Sequence, residues 1–195
     1  MRALITIGLA AVLAVGVKAQ SVELKVGDTA PDFNLQASDG KTYKLADFKG
    51  KRAVVVAWFP KAFTQGCTIE CKSLAENGDK IRMYEVAYFM ASVDTLEDNT
   101  KFAKATSVTL QGRGGGPATV VEKKEADFPM LADPTKEVAT KYGVLMPSPP
   151  GFANRWTFYI DKAGKIAHIE KTVRPATSAE DMIAKLGELK VPMNH

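Results

Sequence analysis

Ala53-Val54-Val55-Val56-Ala57-Trp58-Phe59 is an unbroken apolar, β-branched run that passes through Pro60 into Lys61-Ala62-Phe63-Thr64-Gln65-Gly66-Cys67-Thr68-Ile69-Glu70-Cys71. A strand with one wet face alternates apolar and polar residues. A run with no polar member reads as a strand covered on both sides. Pro60 lacks the N–H that a ladder needs and ends the strand. The mixed polar and apolar pattern from Thr64 to about Arg82 then reads as a helix. A buried strand handing over directly to a helix is the unit of domains that sandwich a sheet between helices.

Toward the N-terminus, Pro31-Asp32-Phe33-Asn34-Leu35 alternates, Asp39-Gly40 turns the chain, and Lys41 to Leu45 alternates again, which predicts a hairpin. Toward the C-terminus, Val86 to Val93 is a second continuous strand, and Leu96 to Ala105 is a helix opened by Glu97 and Asp98. Phe128 to Leu131 reads as a short strand, and Thr135 to Tyr142 as a helix stopped by Gly143. Trp156 to Ile160 and Lys165 to Glu170 form a hairpin around Asp161-Lys162-Ala163-Gly164, and Ser178 caps a last helix to about Leu189. The order predicts an α/β sandwich: a central mixed β-sheet flanked by helices, with an N-terminal β-hairpin. Residues 107–127 break the rhythm with Gly112-Arg113-Gly114-Gly115-Gly116-Pro117. A phosphate loop would close on Gly-Lys-Ser/Thr at a helix start. That ending is absent, so the stretch reads as a flexible surface insertion.

The chain has 195 residues, 46% of them hydrophobic, enough for one domain with a full core and no disulfide staples. Its net charge of +4 comes without any run of clustered basic residues, which argues against nucleic-acid binding. Residues 1–19 read as a secretory signal: Arg2 beside the amino terminus, the apolar run Ala3 to Val17, and small residues flanking Lys18 as a cleavage site needs. The run is shorter than the roughly 20 apolar residues of a spanning helix, so it contacts the membrane only before cleavage. A periplasmic or secreted protein is expected, with one folded domain over residues 24–192.

The two cysteines, Cys67 and Cys71, lie too close in sequence for their bridge to be a useful staple, which leaves a redox or metal role. The strand-to-helix junction puts Cys67 near the first turn of a helix, where unpaired N–H groups and the positive dipole end favour a thiolate. The spacing Pro60-x-x-x-Thr64-x-x-Cys67 resembles the active-site signature of the peroxiredoxins, thiol peroxidases on a thioredoxin-like fold. Phe59-Pro60-Lys61 with Thr64-x-Gly66-Cys67-Thr68 is most similar to the bacterioferritin-comigratory (Q-type) branch, and Asn154-Arg155-Trp156-Thr157-Phe158-Tyr159-Ile160-Asp161 resembles the family's late arginine-bearing strand. The resemblance spans about Val26 to Leu189.

The resemblance implies that Cys67 attacks the distal oxygen of hydrogen peroxide or an organic hydroperoxide and becomes a sulfenic acid. It implies that Thr64 holds the peroxide, Pro60 shields the sulfur, Arg155 favours the thiolate, and Glu70 orients Arg155. O–O cleavage independently asks for an anionic sulfur, donors aimed at the oxygens and a fixed positive charge. An exposed Arg155–Glu70 ion pair is the plain alternative for those two residues. No cofactor is implied; the partner is a thioredoxin-like or other thiol reductant, and the chain is a monomer or homodimer.

Cys71 would resolve the sulfenic acid as a disulfide. The branch commonly places its resolving cysteine five positions after the first, whereas here the separation is four. Closure from one helical face then needs unwinding around Thr68 to Glu70. Two rivals use the same fold. Cys-x-x-x-Cys resembles the copper site of Sco-type assembly proteins, but the histidine that completes such a site is missing near Phe152, Ala153, Asn154 and Arg155, and His168 falls within a later strand. A protein disulfide oxidoreductase would carry Cys-x-x-Cys, one residue shorter.

Overall fold

The structure is a computed structural model that describes residues 23–112, 114 and 116–194. The signal-like segment, Arg113, Gly115 and His195 lie outside the described residues. Asn34–Gln36 (β1) and Thr42–Lys44 (β2) pair antiparallel across the Asp39-Gly40 turn, as the alternation predicts. The apolar run becomes Ala53–Trp58 (β3), buried along its whole length. Its alternate residues feed two separate cores: Val55, Ala57 and Phe59 face one, and Val54, Val56 and Trp58 face the other. That division is why the run carries no polar residue.

Gln65–Glu76 (α1) and Gly78–Ile81 (α2) follow β3, then Val86–Ser92 (β4) and Leu96–Lys104 (α3). The helix expected as one piece from Thr64 to Arg82 is interrupted at Asn77, whose side-chain amide donates to the Ser73 carbonyl (3.0 Å) at the end of α1. Ser107–Leu110 (β5) and Thr119–Glu122 (β6) pair antiparallel, so the stretch read as a flexible surface insertion contains a short hairpin that the sequence reading did not assign. Ser107-Val108-Thr109-Leu110 alternates with period two; Val108 and Leu110 turn inward and join the core beneath α1 and α3. Met130–Ala132 (β7), Glu137–Lys141 (α4), Thr157–Ile160 (β8), Ile166–Glu170 (β9) and Ser178–Glu188 (α5) complete the chain.

The central sheet has five strands in the order β7-β4-β3-β8-β9. β3 pairs parallel with β4, and β4 with β7, whereas β8 lies antiparallel to both β3 and β9. One face is covered by α1, α3, α5 and the β5–β6 hairpin, the other by α4 and the N-terminal hairpin. Ser178 is the first residue of α5 rather than its cap. The N–H of Ala179, buried in the first turn of α5, is instead satisfied by the Ser73 hydroxyl of α1 (3.1 Å), so one helix caps another.

Candidate active site

The end of β3 is tied to the end of its parallel neighbour. Phe59 N donates to Ala91 O (2.9 Å), and the next loop hangs on Asp94, just beyond β4. The Asp94 carboxylate is buried. It accepts from the Ala62 backbone N–H (2.8 Å), the Lys61 ammonium (3.0 Å) and the Ser92 hydroxyl (3.0 Å). Phe63 turns the chain into α1 with φ of 62°, a conformation unusual for a bulky residue, and its ring packs edge-on against Phe102 at 5.1 Å. Asp94 was not singled out by sequence reasoning. It lies 32 positions from Ala62, and only the parallel pairing of β3 and β4 brings them together.

Thr64 stands at the N-cap of α1 and is exposed. Its hydroxyl donates to Lys61 O (2.9 Å) and makes no cap bond to the helix, so the oxygen keeps acceptor capacity. The first helical hydrogen bond closes from Thr68 N to Thr64 O (2.8 Å), reinforced by the Thr68 hydroxyl at 2.8 Å. The N–H groups of Gln65, Gly66 and Cys67 therefore have no helical acceptor, and Cys67 sits in the turn where an anion is most favoured. Its side chain is nonetheless fully buried, with half-buried Pro60 upstream.

Arg155 reaches this sulfur from the segment just before β8, which is fixed to β3 by the bond from Trp58 N to Trp156 O (2.9 Å). Its Nη2 donates to Cys67 Sγ at 3.2 Å and its Nη1 to Glu70 Oε2. A Cβ on Gly66 would lie 2.9 Å from that Nη2, so the absence of a side chain is what lets the guanidinium in. Glu70 is completely buried, so the exposed ion pair considered for these residues is ruled out. Burial pushes the Glu70 carboxyl up, to about 7, against the pull of Arg155. Burial likewise works against the Arg155 charge, yet Glu70 and Cys67 together hold it above an ordinary guanidinium.

Cys71 lies one turn beyond Cys67 on the same buried face of α1, and both are free thiols in this structure. Trp58 packs in the opposite core against Tyr142, with ring centres 5.9 Å apart, and is no part of the site. His168 stands in β9 opposite Tyr159, far along the chain from Cys67 and outside any metal-binding cluster among the described residues.

The model of the AhpC/TSA family matches residues 26–169. The chain belongs to that family. The peroxiredoxin Bcp of Escherichia coli is 33% identical over 151 residues, a span of 75% of this chain and 85% of that protein. A putative peroxiredoxin bcp of Haemophilus influenzae is 28% identical over 151 residues, 75% of this chain and 85% of that one. Among solved structures, peroxidoxin BcpB from Mycobacterium tuberculosis superposes with a TM-score of 0.69 at 24% identity, covering 85% of this chain and 98% of its own. The bacterioferritin comigratory protein of Xanthomonas campestris gives 0.67 at 18% identity, covering 85% and 96%. This AhpC/TSA chain is thus a peroxiredoxin of the bacterioferritin-comigratory branch, on the thioredoxin-like fold, and a thiol-dependent peroxidase. The Sco-like copper reading finds no support, and the Arg155 cation bound to Cys67 would oppose a copper ion there.

Proposed function

We propose that this peroxiredoxin reduces hydrogen peroxide and organic hydroperoxides at Cys67 and resolves the product through Cys71. The observation that carries the reading is the 3.2 Å contact from Arg155 Nη2 to Cys67 Sγ in the first turn of α1. The Cys67 thiolate attacks the distal peroxide oxygen, the O–O bond breaks, and the alkoxide or hydroxide leaves with a proton from water. Arg155, held by Glu70, stays beside the sulfur while charge moves onto oxygen. The free lone pairs of Thr64 accept from the peroxide O–H. Pro60 limits water at the mouth of the site. The resulting sulfenic acid condenses with Cys71, releasing water, and an external dithiol of the thioredoxin kind restores both thiols.

The N-terminal signal-like sequence supports action in a periplasmic or secreted setting, where the reductant would be an exported dithiol protein. Peroxide consumption with a thiol reductant tests the core of the proposal. Wild type is expected to turn over, and Cys67→Ser to be inactive. Intact mass after one equivalent of peroxide is expected to show loss of two hydrogens in wild type and a persistent sulfenic acid in Cys71→Ser. A Cys67→Ser variant as fast as wild type would overturn the assignment.

A further inference from the structure

Resolution by Cys71 raises a difficulty that points to a further residue. Burial pushes the Cys71 thiol up, to about 12, and Glu70 and Cys67 from its own helix push the same way. A thiol so reluctant to ionise is a poor nucleophile. The influence opposing them comes from Lys123, at the foot of the β5–β6 hairpin, whose charge and donor contact both favour the Cys71 thiolate.

The placement rests on contacts around that pair. Lys72 Nζ donates to Glu122 O (2.8 Å), which pins the residues next to Cys71 and Lys123 against each other. Lys123 is itself buried, at 6% exposure, which is rare for a lysine without an acidic partner. Besides Cys71, its ammonium meets the carbonyls of Ala103 (3.3 Å) and Lys124 (3.1 Å) and the face of Phe102 (5.6 Å), and no carboxylate among the described residues pairs with it. Carbonyls and a ring face orient a cation without neutralising it. A buried charge held this way is costly unless something nearby uses it.

We propose that Lys123 is a positioning residue for the resolving step, holding its cation beside Cys71 so that this thiol can lose its proton and attack the Cys67 sulfenic acid. The inference rests on Cys71 being the resolver. In the step, the Cys71 S–H proton leaves, the Cys71 sulfur bonds to the Cys67 sulfur, and the Cys67 S–O bond breaks. The departing hydroxide takes up one proton, so the products are a disulfide and water. The Cys67 sulfur is reduced and the Cys71 sulfur oxidised.

The charged and titratable groups facing Cys71 are Cys67 and Glu70 from α1 and Lys123 from the hairpin, with Arg155 bound beyond Glu70. The test is the rate of disulfide formation after one equivalent of peroxide, followed by quenched intact mass from pH 6 to 9. Variants are Lys123→Gln, which keeps a donor for the two carbonyls but no charge, and Lys123→Arg, which keeps the charge. Lys123→Gln is expected to form the disulfide roughly tenfold more slowly at each pH, reaching wild-type rates about one pH unit higher. Lys123→Arg is expected to recover most of the rate, and sulfenic acid formation is expected to be unchanged in both. If wild type loses no hydrogens, the resolving role of Cys71 fails and this inference with it. If the disulfide forms in wild type and Lys123→Gln follows the same pH profile, only the role of Lys123 is overturned.

Discussion

Arg155 divides one guanidinium between two groups, Nη2 to Cys67 and Nη1 to Glu70. A lysine offers a single point charge and cannot span both. Arg155→Lys is therefore expected to lower kcat/KM for peroxide about 100- to 1,000-fold, the cost of removing one oriented donor from a reacting centre, with an unchanged circular dichroism spectrum. Gly66→Ala attacks the same contact from the other side. Its new methyl group would occupy the space of Nη2, and displacing the guanidinium from Cys67 is expected to cost roughly tenfold in kcat/KM. A wild-type rate in steady-state kinetics would show that the guanidinium can shift at no cost. Cys67, Thr64, Glu70 and Arg155 were legible because their spacing and chemistry are local or fall in a recognisable segment. Lys123 and Asp94 were not, because a single lysine or aspartate in a polar loop carries no sign that a distant helix or strand will enclose it.

At the scale of elements, Asp94 couples the tip of β4 to the loop that carries Pro60 and Thr64. Asp94→Ala would leave the Ala62 N–H and the Ser92 hydroxyl without their acceptor. Thermal melting is expected to report a loss of about 2–3 kcal/mol, and the freed loop a raised KM for peroxide. Phe102, fully buried in α3, is packed by Phe59 and Phe63 and lies under Lys123. β3 could be read from its uninterrupted apolar run, and the β8–β9 hairpin from its turn. The β5–β6 hairpin was hidden because the glycines at its tip dominate the composition, whereas the Val108 and Leu110 alternation that forms it is only one strand long. The break at Asn77 was likewise invisible, since asparagine is tolerated within a helix until its side chain finds a carbonyl.

Across the whole molecule, one buried acid links stability to pH. Glu70 has a folded pKa raised from 4.5 to about 7, so between those values the folded chain keeps a proton that the unfolded chain has released. This group's contribution to stability is full below that window and falls as pH rises through it. Chemical denaturation at pH 4.5 and pH 7.5 is expected to show wild type losing on the order of 3 kcal/mol relative to Glu70→Gln over that range. A constant difference between the two proteins would mean that the carboxyl is ionised throughout. The enclosure that shifts Glu70 also covers both sulfurs, each with 0% exposure. In the resting enzyme Cys67 is therefore under cover: a peroxide and an alkylating agent alike meet the sulfur only once the first turn of α1 has opened, so a change that loosens this turn is expected to raise both rates together.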